Sequence, residues 1–329
     1  MNITVIGDGG WGTAIALLLH SYRHKITVWG PFPDYLAEIR ARRENPRFLP
    51  GIALPADLRW IADPAEAADA AEVFILAVPS KFFGDVCRNF KTLIPAGTLT
   101  VSLTKGLCEN THCRMSELAQ DILGLEQIAV LSGPSHAEEV ARGIPTAVVT
   151  AAVDEEIALR AQSLFSGPRF RVYTSTDPLG VEIGGAVKNV IAIAVGASDG
   201  LGFGDNTRAA LITRGLAEIT RFGVALGAAP ETFAGLSGVG DLIVTCTSRH
   251  SRNHGVGERI GRGELIGAIL DSMLMVAEGV GNAKVIHDLG HKTGMEMPIT
   301  DTVHALCYQN LAARAAVEEL MSRYTKPEH

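Results

Sequence analysis

The first half of the chain alternates short apolar runs with stretches of helical length. The apolar runs have the length and composition of strands covered on both faces. They lie at residues 3–6, 26–29, 73–78, 98–103, 128–131, 146–151 and 170–173. Helices are predicted between them, at about 11–22, 33–43, 80–91, 112–122 and 154–165. Because strands and helices alternate, we predict an α/β fold with a doubly wound, mostly parallel sheet.

The pattern changes near residue 176. Helical stretches follow at 177–199, 205–227, 252–261, 278–290 and 298–322, and no later stretch predicts a strand. The turn-forming residues Ser175-Thr176-Asp177-Pro178 mark the change. We therefore predict an α/β domain at 1–176 and an all-α domain at 177–329. Since no low-complexity linker separates them, we expect the chemistry in a cleft between the two domains.

A glycine motif stands between the first predicted strand and the first predicted helix. Gly7, Gly9 and Gly12 form G-x-G-x-x-G within ITVIGDGGWGTA. The first glycine permits a tight turn, the second lets a pyrophosphate approach the backbone, and the third lets helix and strand pack closely. The helix N-terminus attracts the anion, so we predict binding of NAD or NADP. The second strand ends in Trp29-Gly30-Pro31, neither acidic nor basic, which leaves the choice between them open.

One lysine stands in an unusually apolar helix, VEIGGAVKNVIAIAVGASDG, at residues 181–200. An ammonium buried without a partner is costly, and burial lowers the pKa of a lysine towards neutrality. Such a lysine exchanges protons near pH 7. The alternative is a lysine whose flexible stem carries its ammonium out to water. We interpret Lys188 as a functional residue.

Three further segments carry candidate binding groups. Lys105 follows the fourth predicted strand, at the edge where open α/β sheets bind ligands, although a solvent-facing loop lysine is the alternative. Asp241 stands near the start of a helix, where it either acts in the site or caps the helix. Ser251, Arg252 and Asn253 open the next helix and offer donors to a phosphate. The alternative there is a capping serine beside a solvated arginine.

Composition narrows the classes of function. A net charge of −7 argues against non-specific binding of nucleic acid. We expect no membrane span, because no apolar run is long enough to cross a bilayer. An odd, scattered set of five cysteines indicates free thiols in a reducing compartment, hence the cytoplasm. Cys108, His112 and Cys113 lie close together, but no second ligand pair follows, so we predict no metal site.

The ordered motifs resemble those of the bacterial NAD(P)-dependent glycerol-3-phosphate dehydrogenases. The resemblance runs nearly end to end, from ITVIGDGGWGTA through SLTKGL, LSGPSHAEEVARGIPTAVV, GVEIGGAVKNV, LSGVGDLIVTCTSRHSRNHGVG and MVAEGV. It implies a Rossmann-type domain joined to an all-α domain of the 6-phosphogluconate-dehydrogenase-like type. It also implies a homodimer that reduces dihydroxyacetone phosphate reversibly with NAD(P)H. The product, sn-glycerol 3-phosphate, supplies glycerophospholipid synthesis.

The resemblance also implies roles for individual residues. Lys188 aligns with the catalytic proton acceptor, and Lys105 with a lysine that touches both substrate and cofactor. We expect Asp241 to orient and balance the two lysines. The substrate positions are Lys105, Gly133, Ser135, Lys188, Asp241, Thr245, Ser251, Arg252 and Asn253. The cofactor positions are Gly7, Gly9, Gly10, Trp11, Gly12, Pro31, Lys105, Ala137, Arg252, Val276 and Glu278.

The chain departs from the family pattern in two places. Relatives usually carry serine where Gly10 stands, so one hydroxyl contact to phosphate would be missing. Many also carry arginine or histidine near Pro31, and its absence weakens the case for NADP. Two other functions stay open: a β-hydroxyacid or 6-phosphogluconate type of dehydrogenase, and a non-catalytic dinucleotide sensor. The Ser-Arg-Asn segment argues against the first, and the intact lysines and aspartate argue against the second.

Overall fold

The computed structural model describes residues 1–322. Its first half is an eight-stranded sheet with helices on both faces. The strands are β1 (Asn2–Ile6), β2 (Lys25–Trp29), β3 (Arg59–Ile61), β4 (Val73–Leu76), β5 (Leu99–Ser102), β6 (Ile128–Ser132), β7 (Thr146–Ala151) and β8 (Phe170–Ser175). The helices are α1 (Gly10–Ser21), α2 (Pro33–Arg42), α3 (Pro64–Ala68), α4 (Ser80–Phe90), α5 (Met115–Leu123), α6 (Ala137–Ala141) and α7 (Glu155–Phe165).

The strand order in the sheet is β3-β2-β1-β4-β5-β6-β7-β8. All neighbouring strands are parallel except β6 and β7, which are antiparallel. The predicted doubly wound, mostly parallel sheet is therefore confirmed. The order reverses beside β1, and open α/β sheets bind ligands at such a switch point. The glycine motif follows β1 and thus lies at this point.

The sheet is apolar on both faces because helices cover both. In β4 every residue is buried, with Val73 and Ile75 in the core on one face and Phe74 and Leu76 in the core on the other. This two-sided burial explains why the strands read as continuous apolar runs. The sequence did not predict β3, α3 or α6, which have three, five and five residues.

The second half of the described chain is helical. It contains α8 (Pro178–Gly200), α9 (Asp205–Ala225), α10 (Pro230–Phe233), α11 (Asp241–Thr247), α12 (Arg252–Gly261), α13 (Ile266–Asp271), α14 (Glu278–Thr293), α15 (Pro298–Tyr308) and α16 (Ala313–Met321). The single helix predicted over 298–322 is wrong: two helices are separated where Asn310 takes a left-handed conformation, with φ of 54°. The last part of the predicted domain, 323–329, lies outside the described residues.

Helix α8 is the core of the helical half. By its length of 23 residues and its apolar composition alone, this helix could cross a membrane. The expectation that no apolar run is long enough is therefore wrong. However, 94% of the most apolar part of α8 is buried inside the protein, as in the core helix of a globular protein. Glu182 of α8 also ties this helix to the first half, because it accepts hydrogen bonds from Arg114 at 2.8 Å and from the backbone N–H of Ser116 at 2.9 Å.

Glycines let α12 lie directly against α8. A Cβ added to Gly257 would stand 2.0 Å from the carbonyl oxygen of Ile193, and one added to Gly196 would stand 2.0 Å from that of His254. A side chain at either position would force the helices apart. The close approach carries the start of α12 to the middle of α8, next to Lys188.

Candidate active site

Two lysines from different halves of the chain share one buried carboxylate. Lys188 donates hydrogen bonds from Nζ to Asp241 and, at 2.7 Å, to Oγ1 of Thr245. Lys105 donates to the second carboxylate oxygen of Asp241 at 2.7 Å and to the carbonyl of Gly133 at 3.0 Å. We call Lys188, Lys105, Asp241 and Thr245 the lysine–aspartate centre. The centre lies where the loop after β5 meets α8 and α11.

Burial sets the electrostatics of this centre. Lys188 is 5% exposed and Asp241 is 1% exposed. Burial lowers the pKa of Lys188 to about 7, although Asp241 opposes the shift, and the charge of Lys105 adds to it. Burial raises the pKa of Asp241, but the two ammonium groups outweigh it and hold that pKa below its usual value. The centre therefore pairs a permanent anion with an amine that titrates near neutrality. The ammonium of Lys188 does not reach bulk water.

Helix α11 presents Asp241 and Thr245 together. The two residues are four apart, so their side chains lie on one face of the helix. Thr245 accepts a hydrogen bond from Lys188 while its hydroxyl donates to the carbonyl of Asp241 at 2.6 Å. The N-cap of α11 is Gly240, and the Asp241 carboxylate bonds the lysines. A capping role therefore does not describe Asp241.

The glycine motif leaves room for a ligand at the backbone. Gly7 has φ of +126°, and a Cβ there would stand 2.4 Å from the carbonyl oxygen of Ala77. A Cβ on Gly12 would stand 2.1 Å from the carbonyl oxygen of Gly7, whereas one on Gly9 meets nothing within 4 Å. Gly9 is also the N-cap of α1, without a side-chain capping bond. The open N-terminus of α1 therefore fits a pyrophosphate. We call the loop Gly7–Gly12 and the end of β2 the cofactor edge.

The missing serine at position 10 has a structural reason in this chain. A Cβ on Gly10 would stand 2.4 Å from the carbonyl oxygen of Phe48. The segment around Phe48 is anchored by Asn45, whose amide donates to the carbonyl of Asp8 at 2.7 Å and to Thr13 at 2.8 Å. Glycine is thus the residue that lets this segment close over the loop. The first residue of α6, Ala137, is also near, with its Cβ 3.9 Å from the Cβ built on Gly10.

Three residues predicted at the cofactor lie together in the helical half. Arg252 donates to the carbonyl of Val276 at 2.7 Å. Glu278, the first residue of α14, accepts hydrogen bonds from the backbone N–H of Ser80, at 3.0 Å, and from its hydroxyl. Since Ser80 begins α4 just beyond the carboxyl end of β4, this contact brings Glu278 to the ligand-binding edge of the sheet.

The predicted phosphate-binding segment also serves the fold. Ser251 caps α12, because its Oγ accepts from the backbone N–H of His254 at 3.2 Å. The side-chain carbonyl of Asn253 accepts from Gly279 at 2.9 Å, and its amide donates to Asn189 at 2.9 Å. A hydroxyl proton and a second amide N–H remain available by valence. Both alternatives for Ser251 thus hold in part, since a capping serine still has a proton to donate.

The remaining predicted site residues do not hydrogen-bond directly to the side chains of the lysine–aspartate centre. Ser135 donates to the carbonyl of Gly133 at 2.9 Å, the same carbonyl that Lys105 contacts. Pro31 is exposed just after β2. Trp11 is partly buried on α1, and its indole N–H has no hydrogen-bond partner within residues 1–322.

Sequence families match both halves of the chain. The family described as NAD-dependent glycerol-3-phosphate dehydrogenase N-terminus matches residues 2–158, and the one described as its C-terminus matches residues 177–318. The chain belongs to the NAD-dependent glycerol-3-phosphate dehydrogenase family. This membership confirms the resemblance drawn from the motifs and the predicted class of enzyme, an NAD(P)-dependent dehydrogenase.

Individual relatives agree with the family match. A protein of Citrifermentans bemidjiense named glycerol-3-phosphate dehydrogenase (NAD(P)+) is 50% identical, over 99% of this chain and 98% of the relative. One of the same name from Geobacillus kaustophilus is 46% identical, over 99% and 96%. A crystal structure of glycerol-3-phosphate dehydrogenase from Coxiella burnetii superposes with a TM-score of 0.94 at 39% identity, covering 98% of this chain and 99% of that one. The Rossmann-type half and the helical half are therefore confirmed as the family architecture.

Sequence reasoning missed some residues of this dehydrogenase's site. His136 precedes α6, and burial lowers its pKa, as do the nearby charges of Lys188 and Lys105. Ser80 holds Glu278, and Asp8 lies inside the glycine motif with a buried carboxylate. The position of Asp8 between two motif glycines marks it as part of the loop but does not indicate a role for its carboxylate. Nothing in the local sequence marks the other two.

One group within residues 1–322 has the composition of a metal site. His287, His291 and Asp301 offer ligand atoms within 4.8 Å of one another. Nδ1 of His287 lies 2.8 Å from the carboxylate of Asp301, and its ring stacks on His304 at 4.0 Å. These contacts join α14 to α15 and share no residue with the lysine–aspartate centre.

Proposed function

We propose that the lysine–aspartate centre carries out the reversible reduction of dihydroxyacetone phosphate to sn-glycerol 3-phosphate, which supplies glycerophospholipid synthesis. Family membership supports the reaction, and geometry supports the assignment of residues. The observation that carries the proposal is the buried Nζ of Lys188, held by Asp241 and Thr245 with a pKa near 7.

NAD(P)H supplies the hydride when it is bound. The residues that would hold it are the glycines of the cofactor edge on the sheet side and Arg252, Val276 and Glu278 on the helical side. An open helix N-terminus, and a carboxylate brought to the sheet edge by Ser80, support this assignment. We assign Lys105 to both cofactor and substrate, because it extends from the same sheet edge into the lysine–aspartate centre.

Lys188 handles the proton. In the reductive direction its ammonium donates a hydrogen bond to the C2 carbonyl oxygen and transfers the proton as hydride reaches C2. In the oxidative direction the neutral amine accepts the proton of the C2 hydroxyl. A pKa near 7 keeps both forms populated at neutral pH. Lys105 stabilises the negative charge that develops on the oxygen, and Asp241 orients both lysines through bonds to each of its two oxygens.

The substrate phosphate binds at the start of α12. Arg252 supplies a charged fork of donors, and Ser251 and Asn253 each retain one proton to donate. The helix N-terminus adds its positive dipole end. Binding the phosphate there fixes C2 relative to Lys188, because α12 is packed on α8. Gly133, Ser135 and Thr245 complete the substrate contacts in this proposal.

The test is Lys188→Ala. Turnover should fall by about 10²–10⁴-fold, the usual contribution of a positioned acid–base group. Binding of the reduced cofactor should be retained, since Lys188 is assigned to the substrate. Steady-state reduction of dihydroxyacetone phosphate, followed by nicotinamide absorbance, measures the first, and calorimetric titration with NADH measures the second. Lys284→Ala is the matched control, because Lys284 is paired with Asp288 on the surface. Near-normal turnover of Lys188→Ala would remove this role.

We also propose that the dehydrogenase is a cytoplasmic homodimer. Exposed apolar side chains in the helical half support self-association, among them Leu274 at 79% and Leu265 at 71% exposure. All five cysteines lie within the described residues and are unpaired, which supports a reducing compartment. Light scattering coupled to size-exclusion chromatography measures the number of copies.

A further inference from the structure

The end of β2 lacks the residue that usually reads the adenosine ribose. In Rossmann folds an acidic residue about 20 positions after the motif binds the ribose hydroxyls, and an arginine nearby accepts a 2′-phosphate. In this chain β2 ends at Trp29 and the next residue is Gly30. Glycine has no side chain for either task. The group that faces the ribose must therefore come from elsewhere.

Asp8 fills the space beside Gly30. A Cβ added to Gly30 would stand 2.6 Å from Cγ of Asp8 and 2.6 Å from its Oδ2. The carboxylate thus occupies the place where a side chain at the end of β2 would start. Asp8 lies between Gly7 and Gly9, so the acid is supplied by the glycine loop.

The backbone of Asp8 is firmly held at this place. Its carbonyl accepts hydrogen bonds from the amide of Asn45 at 2.7 Å and from the hydroxyl of Thr13 at 3.4 Å. The N–H of Gly7 donates to the carbonyl of Trp29 at 2.9 Å, which fixes the loop against the end of β2. The position of the carboxylate is therefore set by the fold.

The carboxylate of Asp8 is buried and short of donors. Asp8 is 8% exposed, and within residues 1–322 its Oδ2 has no hydrogen-bond partner. Burial raises the pKa of Asp8 to about 6, while its own backbone N–H and the charge of Arg47 act in the opposite direction. The group is therefore an anion above neutral pH. A buried polar atom without a partner is uncommon in native proteins and calls for an explanation.

We propose that Asp8 selects the cofactor: its carboxylate accepts hydrogen bonds from the adenosine ribose hydroxyls of NADH and repels the 2′-phosphate of NADPH. The proposal rests on the proposed function only in that the ligand is a nicotinamide dinucleotide. A 2′-phosphate would remove a hydroxyl donor and add negative charge beside a buried anion, and both effects oppose binding. The dehydrogenase accordingly binds NADH more tightly than NADPH.

Arg47 is the competing group at this edge, because a guanidinium favours a phosphate. Its guanidinium carbon lies 4.3 Å from the ring centre of Tyr35, and Nη2 lies 3.8 Å from the carboxylate of Glu38. These contacts draw the charge of Arg47 towards α2. Asp8, by contrast, is fixed directly against Gly30.

The experiment measures equilibrium binding of NADH and of NADPH to the full chain by calorimetry, without substrate. The unchanged protein should bind NADH at least about tenfold more tightly than NADPH. Asp8→Asn keeps the shape and removes the charge, so the ratio of the two dissociation constants should move at least about tenfold towards NADPH. Asp8→Ala removes charge and acceptor together and should move it the same way.

The matched control is Asp34→Asn. Asp34 is an exposed carboxylate in the first turn of α2, near the same edge of the sheet, and its removal changes the net charge equally. Its ratio should stay within about twofold of the unchanged protein.

Three results overturn the proposal. These are tighter binding of NADPH by the unchanged protein, an unchanged ratio in both Asp8 variants, and a shift of the ratio in Asp34→Asn or Arg47→Ala in place of the Asp8 variants. Because no turnover is measured, failure of the role assigned to Lys188 leaves this result unaffected.

Discussion

The cofactor edge and the lysine–aspartate centre are built from different parts of the chain, the first from backbone and the second from side chains. The cofactor edge is made of backbone: Gly7 and Gly12 allow close contacts, and Gly9 leaves space at a helix N-terminus. The lysine–aspartate centre is made of side chains, three of them charged, that are largely removed from water and hydrogen-bonded to one another. Added atoms should therefore destroy the first, and removed charges should destroy the second.

The difference also separates two kinds of specificity. A backbone cradle recognises the pyrophosphate that NADH and NADPH share, so it cannot distinguish them. A side chain with a defined charge can. Asp8 belongs to the cofactor edge by position but to the second kind by chemistry, which is why selection between the cofactors falls to it.

The largest expected effect on stability follows from removing the shared anion. Asp241→Asn leaves the buried amine of Lys188 and the partly buried ammonium of Lys105 facing a neutral amide, and removing one partner of a buried ion pair costs about 3–5 kcal/mol. The free energy of unfolding, measured in urea, should fall by about that amount. Asp288→Asn breaks a surface pair with Lys284 and should cost less than about 1 kcal/mol. Equal losses in the two variants would show that burial does not distinguish the pairs.

Two glycine variants test the cofactor edge by adding a single methyl group. Gly7→Ala forces an alanine to φ of +126° and places its Cβ 2.4 Å from the carbonyl of Ala77, so the fold should lose about 2–3 kcal/mol. Gly9→Ala meets no protein atom within 4 Å, and its φ of −67° suits alanine. Its stability should stay within about 0.5 kcal/mol, while NADH binding weakens because the methyl group enters the space of the pyrophosphate. Undiminished NADH binding by Gly9→Ala would place the pyrophosphate elsewhere.

The local sequence predicted the cofactor edge but not the contacts of the lysine–aspartate centre. Gly7, Gly9 and Gly12 lie within six residues, and their place between a strand and a helix already indicates their use. The partners of Asp241 lie 53 and 136 positions away along the chain. No local spacing predicts that contact, and only the family resemblance brought the three residues together. The apolar neighbours of Lys188 predicted that it is buried, because a helix apolar on all sides must lie inside the protein. Burial in turn predicted that the pKa of Lys188 is lowered.

The features that the sequence did not predict also have physical explanations. Strand β3 has three residues and α6 has five, too few for a period of two or 3.6 to emerge. The break at Asn310 depends on one residue in the left-handed conformation, and because asparagine also occurs inside helices, the sequence alone does not mark the break. Asp8 could not be given a role from the motif, since its significance depends on Gly30, 22 positions later, and only the parallel pairing of β1 with β2 brings the two together.

The start of α12 combines a backbone helix N-terminus with the charged side chain of Arg252. The variant Arg252→Ala removes the side chain and leaves the helix N-terminus in place. Loss of the guanidinium removes charge-assisted hydrogen bonds worth about 1.5–3 kcal/mol, so KM for dihydroxyacetone phosphate should rise about 10–100-fold. The turnover number should change less, because the lysine–aspartate centre is intact. Arg249→Ala, an exposed arginine just before the helix, is the control and should leave KM unchanged. Use of glycerol as readily as its phosphate by the unchanged enzyme would contradict the phosphate site.

The smallest expected effect is a change of the turnover number with pH, about tenfold per pH unit. It distinguishes the titrating side chain of Lys188 from the backbone of the cofactor edge, which does not titrate. Reduction needs the ammonium form of Lys188, so with a pKa of about 7 its turnover number should fall about tenfold between pH 8 and pH 9. Oxidation needs the neutral amine and should not fall over that interval. The substrate phosphate is already fully ionised there, with a second pKa of about 6, so it does not contribute. Turnover measured at saturating substrate in both directions checks the sign. The backbone of the cofactor edge does not titrate, and Asp8, with a pKa of about 6, is already ionised over this interval. The dissociation constant of NADH should therefore stay nearly constant, and parallel changes in binding and turnover would assign the titration to a different group.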